Sequence, residues 1–350
     1  MEIEKTGFDI DAVFTENPTD RHRYPFVLRD QKRPVGVDYT GFHGVSVESL
    51  RRKIALYSSK NIFATIFRQK TFDGAPPRIL KRAMHKRVDC ILCGSSDQRP
   101  LFAKKGPGDD SFTLVRCASC GLRFVSPRPD EKDIVRYYGS GYFSTRTERG
   151  YDNYFSPEIR GEIERIIALN LRDLGFSPFE RSLNTPGRCL DIGCAAGYFV
   201  NYMRDRGWDA SGIDVSRECV EFARDSLRLD VRRGDYLSTR FNGGFDLITL
   251  WATIEHLHHP HRFLEKIHSE LNAGGRLYLS TCRAGGVNFM GLYGKKWRYY
   301  NFPEHLYFFS RTALYSLLKQ TGFLPRRYVT YGSGFGKAGG VPRKIADFLA

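Results

Sequence analysis

The stretch Arg188-Cys-Leu-Asp191-Ile-Gly193-Cys-Ala-Ala-Gly197-Tyr-Phe constrains this chain more than any other. A short apolar run reads as a buried strand, and two glycines then lead the chain directly into a helical pattern. From there to residue 331, apolar runs alternate with amphipathic ones. Strands are expected at 188–192, 209–213, 229–232, 245–250, 275–281 and 325–331, with helices near 197–206, 216–226, 261–271 and 310–321. Such alternation builds an α/β fold, a doubly wound parallel sheet with helices on both faces. Gly193 and Gly197 permit close backbone approach at the end of the first strand, where open parallel sheets take cofactors. The spacing is G-x-x-x-G rather than the G-x-G-x-x-G that holds a dinucleotide pyrophosphate, which weighs against NAD.

Carboxylates follow the strands. Asp191 precedes the turn, and Asp214 closes the second strand 21 positions after Gly193, where an acid can accept hydrogen bonds from both ribose hydroxyls. Asp235 closes the third strand. With Phe245-Asp-Leu-Ile, Ile254-Glu-His-Leu257 and Leu271-Asn-Ala-Gly-Gly275, residues 188–331 resemble the class I S-adenosylmethionine-dependent methyltransferases. The resemblance implies a Rossmann-like methyltransferase sheet. It also implies that Asp191, Gly193, Cys194, Ala195 and Gly197 cradle the methionine part of S-adenosylmethionine, Asp214 the ribose and Asp235 the adenine. Ala195 stands where the family carries its middle glycine.

Two C-x-x-C-G turns, Cys90/Cys93 and Cys117/Cys120, are separated by 23 residues. Each supplies two thiolates, and together they complete the tetrahedron that Zn(II) favours, so residues 88–126 read as a zinc ribbon with a structural metal. The ribbon, the Ser126-Pro-Arg-Pro129 link, Tyr137-Tyr138 and Pro303-Glu-His-Leu-Tyr-Phe-Phe-Ser310 are similar to bacterial methyltransferases of sugar, surface-polysaccharide and natural-product biosynthesis. That similarity implies a nucleotide-sugar, glycan or small biosynthetic acceptor.

An alcohol acceptor needs a base, and histidine suits that task near neutral pH. The candidates are His305, in the insertion that covers the acceptor in the family, and His256, after the fourth strand. His256, His258, His259 and His261 crowd six positions, but Pro260 makes a solvated turn before a helix the simpler reading, and no catalytic metal is expected. Trp297, Tyr299 and Tyr300, with Lys295, Lys296 and Arg298 among them, suit a sugar ring or base and its phosphates, or else form a lid that packs on the sheet. Tyr138 and Tyr142 could line the same pocket from residues 127–187, a Tyr-rich bridge with a helix from Pro157 that could form a substrate lid.

The net charge of +15 is concentrated: Arg51 to Arg87 carries eleven Lys/Arg and one acid, Asp73. Residues 1–87 are read as an irregular leader followed by a basic helix at 50–70. That helix is open to three readings: a peripheral membrane anchor, an RNA contact, or a packing helix with a solvated face. Residues 332–350 read as a Gly-rich linker and a short helix. No run nears the roughly 18 apolar residues of a membrane span, and the start is not signal-like, so a reducing cytoplasm is expected. Two rivals remain. One is an RNA base methyltransferase, against which the fourth strand runs into Trp251-Ala-Thr-Ile-Glu-His rather than an Asn-Pro-Pro-Tyr type of sequence. The other is a binding module without catalysis.

Overall fold

The computed structural model describes residues 8–15, 85–106, 110–137, 142–144, 153–183, 187–242, 244–284, 294–297 and 299–331. The basic helix expected at 50–70, Tyr138 and the Gly-rich run after 331 lie outside them. None of the described helices is long and apolar enough to cross a membrane.

In chain order the strands are β1 (Phe8–Thr15), β2 (His85–Lys86), β3 (Gln98–Lys105), β4 (Ser111–Cys117), β5 (Arg123–Val125), β6 (Arg128–Pro129), β7 (Arg188–Ile192), β8 (Asp209–Asp214), β9 (Asp230–Arg233), β10 (Phe245–Trp251), β11 (Leu271–Cys282), β12 (Tyr307–Phe308) and β13 (Phe323–Tyr331). The helices are α1 (Pro157–Asp173), α2 (Phe176–Ser182), α3 (Tyr198–Asp205), α4 (Arg217–Asp225), α5 (Pro260–Glu270) and α6 (Arg311–Gln320).

Seven strands form one sheet in the order β13-β1-β11-β10-β7-β8-β9, parallel throughout. From β7 the chain winds outward through β8 and β9, then returns to β10 and β11 on the other side, next to β1. The topology therefore reverses between β7 and β10, and a crevice opens at their carboxyl ends. Burial on both faces drives this: Leu190, Leu247, Ile248, Leu250, Leu277 and Leu279 have no exposed surface, and each contributes about 1.5–3 kcal/mol.

The helices start where their sequence sets them. Ser156 accepts a hydrogen bond from the Ile159 amide and Pro157 occupies the first turn of α1, while Ser216 and Ser310 cap α4 and α6 in the same way. Two differences from the sequence reading are informative. Phe8–Thr15, expected as irregular leader, is a strand between β11 and β13; its alternating Phe-Asp-Ile-Asp pattern was short and surrounded by turn signals. β11 begins at Leu271 rather than 275, because the chain passes Gly274 at φ 76° and stays paired with β10 across a register shift.

A second, antiparallel sheet has the order β12-β5-β4-β3. Its first strand comes from the insertion that follows β11, so the cysteine-bearing segment and the part of the chain that forms the seven-stranded sheet share this second sheet. Phe112, Leu114, Val125, Cys282, Trp297, Tyr300, Phe302 and Phe308 form one buried cluster between them.

Candidate active site

A cavity of about 1480 Å³ opens at the carboxyl ends of β7, β8 and β10. One wall is the turn after β7. Gly193 sits at φ 73°, and a Cβ there would stand 2.6 Å from Thr253 Oγ1, so only glycine fits. The Gly193 and Cys194 amides donate to the Ile213 carbonyl at 2.8 and 3.2 Å, and the Ala195 amide donates to Asp214 Oδ2 at 2.8 Å. The Ser216 amide donates to Asp214 Oδ1 at 2.7 Å, so a single carboxylate braces the turn and the start of α4 beside the cavity. Asp235 also lines the cavity, and its side chain accepts from the Leu237 and Ser238 amides.

Asp191 is buried at the base of the cavity, and Thr249 Oγ1 on β10 donates to its Oδ1 at 2.6 Å. Burial pushes its carboxyl up to about 8; the Thr249 hydrogen bond opposes the shift and the Asp214 charge adds to it.

The remaining predicted residues separate. Cys194 and Ala195 reach the cavity, while the Cys194 thiol lies within the cluster of Val200, Val220 and Val231. Gly197 is not on the wall: a Cβ there would stand 2.8 Å from Leu229 Cδ1 and 3.2 Å from Ala223 Cβ, so it serves the close approach of the start of α3 to α4 and the segment before β9. Tyr142 is buried and lines the cavity. Trp297 and Tyr300, expected at the substrate, are instead buried in the cluster shared with the second sheet, and the Tyr300 carbonyl receives Lys104 Nζ at 2.6 Å. An aromatic crowd looks alike in sequence whether it binds a ring or fills a core.

His256 lines the cavity, on the turn Ile254–His256 just after β10. His305 lies behind it, with ring centroids 4.7 Å apart at 89°. His305 Nδ1 is 2.9 Å from the Tyr299 carbonyl and 3.8 Å from Cys282 Sγ. The two histidines that sequence reasoning weighed as rivals are therefore neighbours. His258 does not face solvent as the expected turn required: it is buried, its Nε2 lies 3.1 Å from the Pro129 carbonyl, and burial lowers its imidazole to about 4. Its own carbonyl receives Arg128 Nη2 and the Tyr307 hydroxyl, both at 3.2 Å.

Sequence reasoning read the 127–187 bridge and helix as a possible substrate lid but named no site residue on α1. Ile163, Ile166, Ile167 and Asn170 line the cavity with Phe143, Tyr154 and Trp251. The i, i+3, i+4, i+7 spacing was visible, but not what the stripe would face.

The four predicted thiols converge. Cys90 Sγ is 3.4 Å from Cys120 Sγ and Cys93 Sγ is 3.5 Å from Cys117 Sγ, and all four lie within 4.8 Å of one another. A tetrahedron of Zn–S bonds near 2.3 Å has edges of about 3.8 Å, and a disulfide would need about 2.05 Å, so the set fits a metal. Burial would raise the Cys117 thiol, but the hydrogen bond from the Cys120 amide and its neighbours outweigh it and lower it to about 6.

Residues 160–326 match the profile of a family described as a methyltransferase domain. With its parallel sheet and the turn after β7, this segment is similar to a methyltransferase domain. Among curated proteins the chain is similar to the ubiquinone biosynthesis O-methyltransferase of Idiomarina loihiensis, 26% identical over 146 residues that cover 40% of this chain and 58% of that protein. It is also similar to the enzyme of the same name from Xanthomonas campestris pv. campestris, 34% identical over 104 residues, 27% of this chain and 44% of that one. The chain thus spans about half the length of these relatives. Among solved structures, a SAM dependent methyltransferase from Archaeoglobus fulgidus is 19% identical over 46% of this chain and 69% of that one, with a TM-score of 0.38.

Proposed function

We propose that this protein transfers the methyl group of S-adenosylmethionine to an oxygen of a small biosynthetic acceptor. The observation that carries the reading is the convergence on one cavity of the Gly193 turn, the Asp214 carboxylate and His256. The cradle fits the cofactor: a glycine whose Cβ would collide, amides and an acid at a topological switch point, and space beyond them for a second molecule. Asp191, Gly193, Cys194 and Ala195 would hold the methionine part, Asp214 the ribose and Asp235 the adenine. When bound, the cofactor supplies an electrophilic methyl on a sulfonium.

The chain's own residues then position and deprotonate the acceptor. His256, on the cavity wall, takes the acceptor's hydroxyl proton as the oxygen's electron pair turns to the methyl carbon. The apolar face of α1 and Phe143 exclude water and suit an acceptor with an aromatic or hydrocarbon part. The relatives' names fit such a small-molecule acceptor. A sugar-like acceptor, nucleotide sugar or glycan, is the narrower reading and rests on the resemblance of the ribbon and the 303–310 motif.

The Cys90, Cys93, Cys117 and Cys120 set reads as a structural zinc site, closed by four thiolates. A reducing cytoplasm would keep those thiolates available to the metal.

The test uses methyl-labelled S-adenosylmethionine with the wild-type protein and Asp214→Ala, offered a small-molecule and lipid extract, a sugar-nucleotide fraction and total RNA. Label in extractable small molecules, lost in the variant, is the expected result. Label in the sugar-nucleotide fraction selects the narrower acceptor, and RNase-sensitive label overturns the proposal in favour of an RNA enzyme. Failure to bind S-adenosylhomocysteine would make the protein a binding module of another kind.

A further inference from the structure

Glu255 is buried beside the two histidines and is not among the residues that line the cavity. It shares the Ile254–His256 turn with His256, and its carbonyl receives the Leu306 amide at 2.8 Å. That bond ties the turn after β10 to the loop that carries His305. The His305 amide in turn donates to the Asn301 carbonyl at 2.9 Å. One carboxylate oxygen of Glu255 and one ring nitrogen from each histidine lie within 4.8 Å of one another. A carbonyl can only accept, so His305 Nδ1 donates to Tyr299, and Nε2 is the ring nitrogen left to exchange a proton. The near-perpendicular rings bring edge to face rather than stacking two identical charges.

We propose that Glu255 is a positioning residue whose carboxylate stabilises the cation formed when the His256–His305 pair takes up the acceptor's proton. This rests on the methyltransferase reading of the cavity. In the step, the acceptor O–H bond breaks and its proton goes to the imidazole of His256; the O–H electron pair forms the new C–O bond as the methyl–sulfonium bond breaks, and that bond's pair stays on the sulfur of the departing S-adenosylhomocysteine. The positive charge left on the ring pair is offset by Glu255, and the proton leaves to solvent with the product. A buried carboxylate next to a pair that must become cationic compensates a charge that would otherwise be costly inside the protein. The other titratable groups around the pair are Cys282 at the end of β11, Glu304 on the His305 loop and His258 two residues beyond His256. Of these, Glu255 is the acid on the turn of the histidine that faces the cavity.

The experiment follows the imidazole signals of His256 and His305 by NMR in full-length, ε1-13C-histidine-labelled protein, assigned with His256→Asn and His305→Asn. Wild type, Glu255→Gln and Glu255→Asp are titrated with pH, and S-adenosylhomocysteine binding is measured on each. The expected result is that Glu255→Gln lowers the His256 titration midpoint by at least about one pH unit, a tenfold change in proton affinity. Glu255→Asp should restore most of it, with His305 keeping its Nδ1–H tautomer. A midpoint that moves equally little in both variants, while S-adenosylhomocysteine still binds, overturns the role of Glu255 alone. Loss of S-adenosylhomocysteine binding by the wild type overturns the cavity reading instead. Binding of Mn2+ that disappears in Glu255→Gln would make the cluster a cation site and also overturn the proposal.

Discussion

Thr249 Oγ1 donates a 2.6 Å hydrogen bond to Asp191 Oδ1 across the point where the sheet topology reverses. It joins β10 to β7 at the base of the cavity and is the hydrogen-bond donor that favours ionisation of a carboxyl which burial raises to about 8.

That carboxyl makes stability depend on pH. Between about 4 and 8, Asp191 is protonated in the fold and ionised in the unfolded chain, so the fold binds the extra proton and loses stability as pH rises. Asp191→Asn should therefore stabilise the ligand-free protein at pH 8, by on the order of a few kcal/mol, and much less at pH 4. Equal shifts in melting temperature at both pH values would contradict the protonated state.

Ala195 holds φ 46° in the turn after β7, a region that costs an alanine roughly 1–2 kcal/mol. Its amide, not its methyl, makes the contact with Asp214. Ala195→Gly should raise stability by about 1 kcal/mol or less, since glycine loses more chain entropy, and leave S-adenosylhomocysteine affinity nearly unchanged. A drop in either would show that the methyl group packs in a way the turn depends on.

His258 gives a second pH dependence with the opposite sign. Burial holds its imidazole at about 4, so it is neutral in the fold while the unfolded chain takes up a proton below 6.5; stability falls as pH drops through that window. At pH 5 the penalty is about 2 kcal/mol. His258→Gln should flatten the slope of melting temperature between pH 6.5 and 5, and an unchanged slope would assign the acid sensitivity elsewhere.

If the four cysteines hold zinc as proposed, its removal should reach the His305 loop. β5 follows Cys120 directly and pairs with β12, which begins two residues after His305, and the Val125 amide donates to the Leu306 carbonyl at 2.9 Å. A chelator should lower stability by several kcal/mol and shift the emission of Trp297, buried between the two parts, to the red. Trp297→Phe identifies that signal. Loss of zinc with neither change would mean that the second sheet holds without it.

Much of the site was legible because its signals are local. The Asp191–Gly197 turn, Asp214 and the C-x-x-C pairs are each set by a few neighbouring residues, and strands β7 to β10 and helices α3 to α6 begin within about two residues of their expected positions. What stayed hidden depends on distant partners. β1 needed the gap between β11 and β13. The Ile163, Ile166 and Ile167 stripe needed a cavity to face, and Trp297 and Tyr300 needed the second sheet to become core. His256 and His305, 49 positions apart in the sequence, could be weighed only as alternatives until their segments were joined at Glu255 and Leu306.

Because β12 completes the cysteine-bearing sheet, that segment is not a detachable accessory. A chimera that swapped residues 88–126 for a related ribbon would present β12 with an unfamiliar edge and an ill-fitting neighbour for Trp297 and Phe308. Successful exchange would require residues 294–309 to travel with the donor ribbon. Across descent, substitutions on β5 and on the insertion after β11 should then be accepted in matched pairs, so that the loop carrying His305 drifts in step with the cysteine-bearing segment.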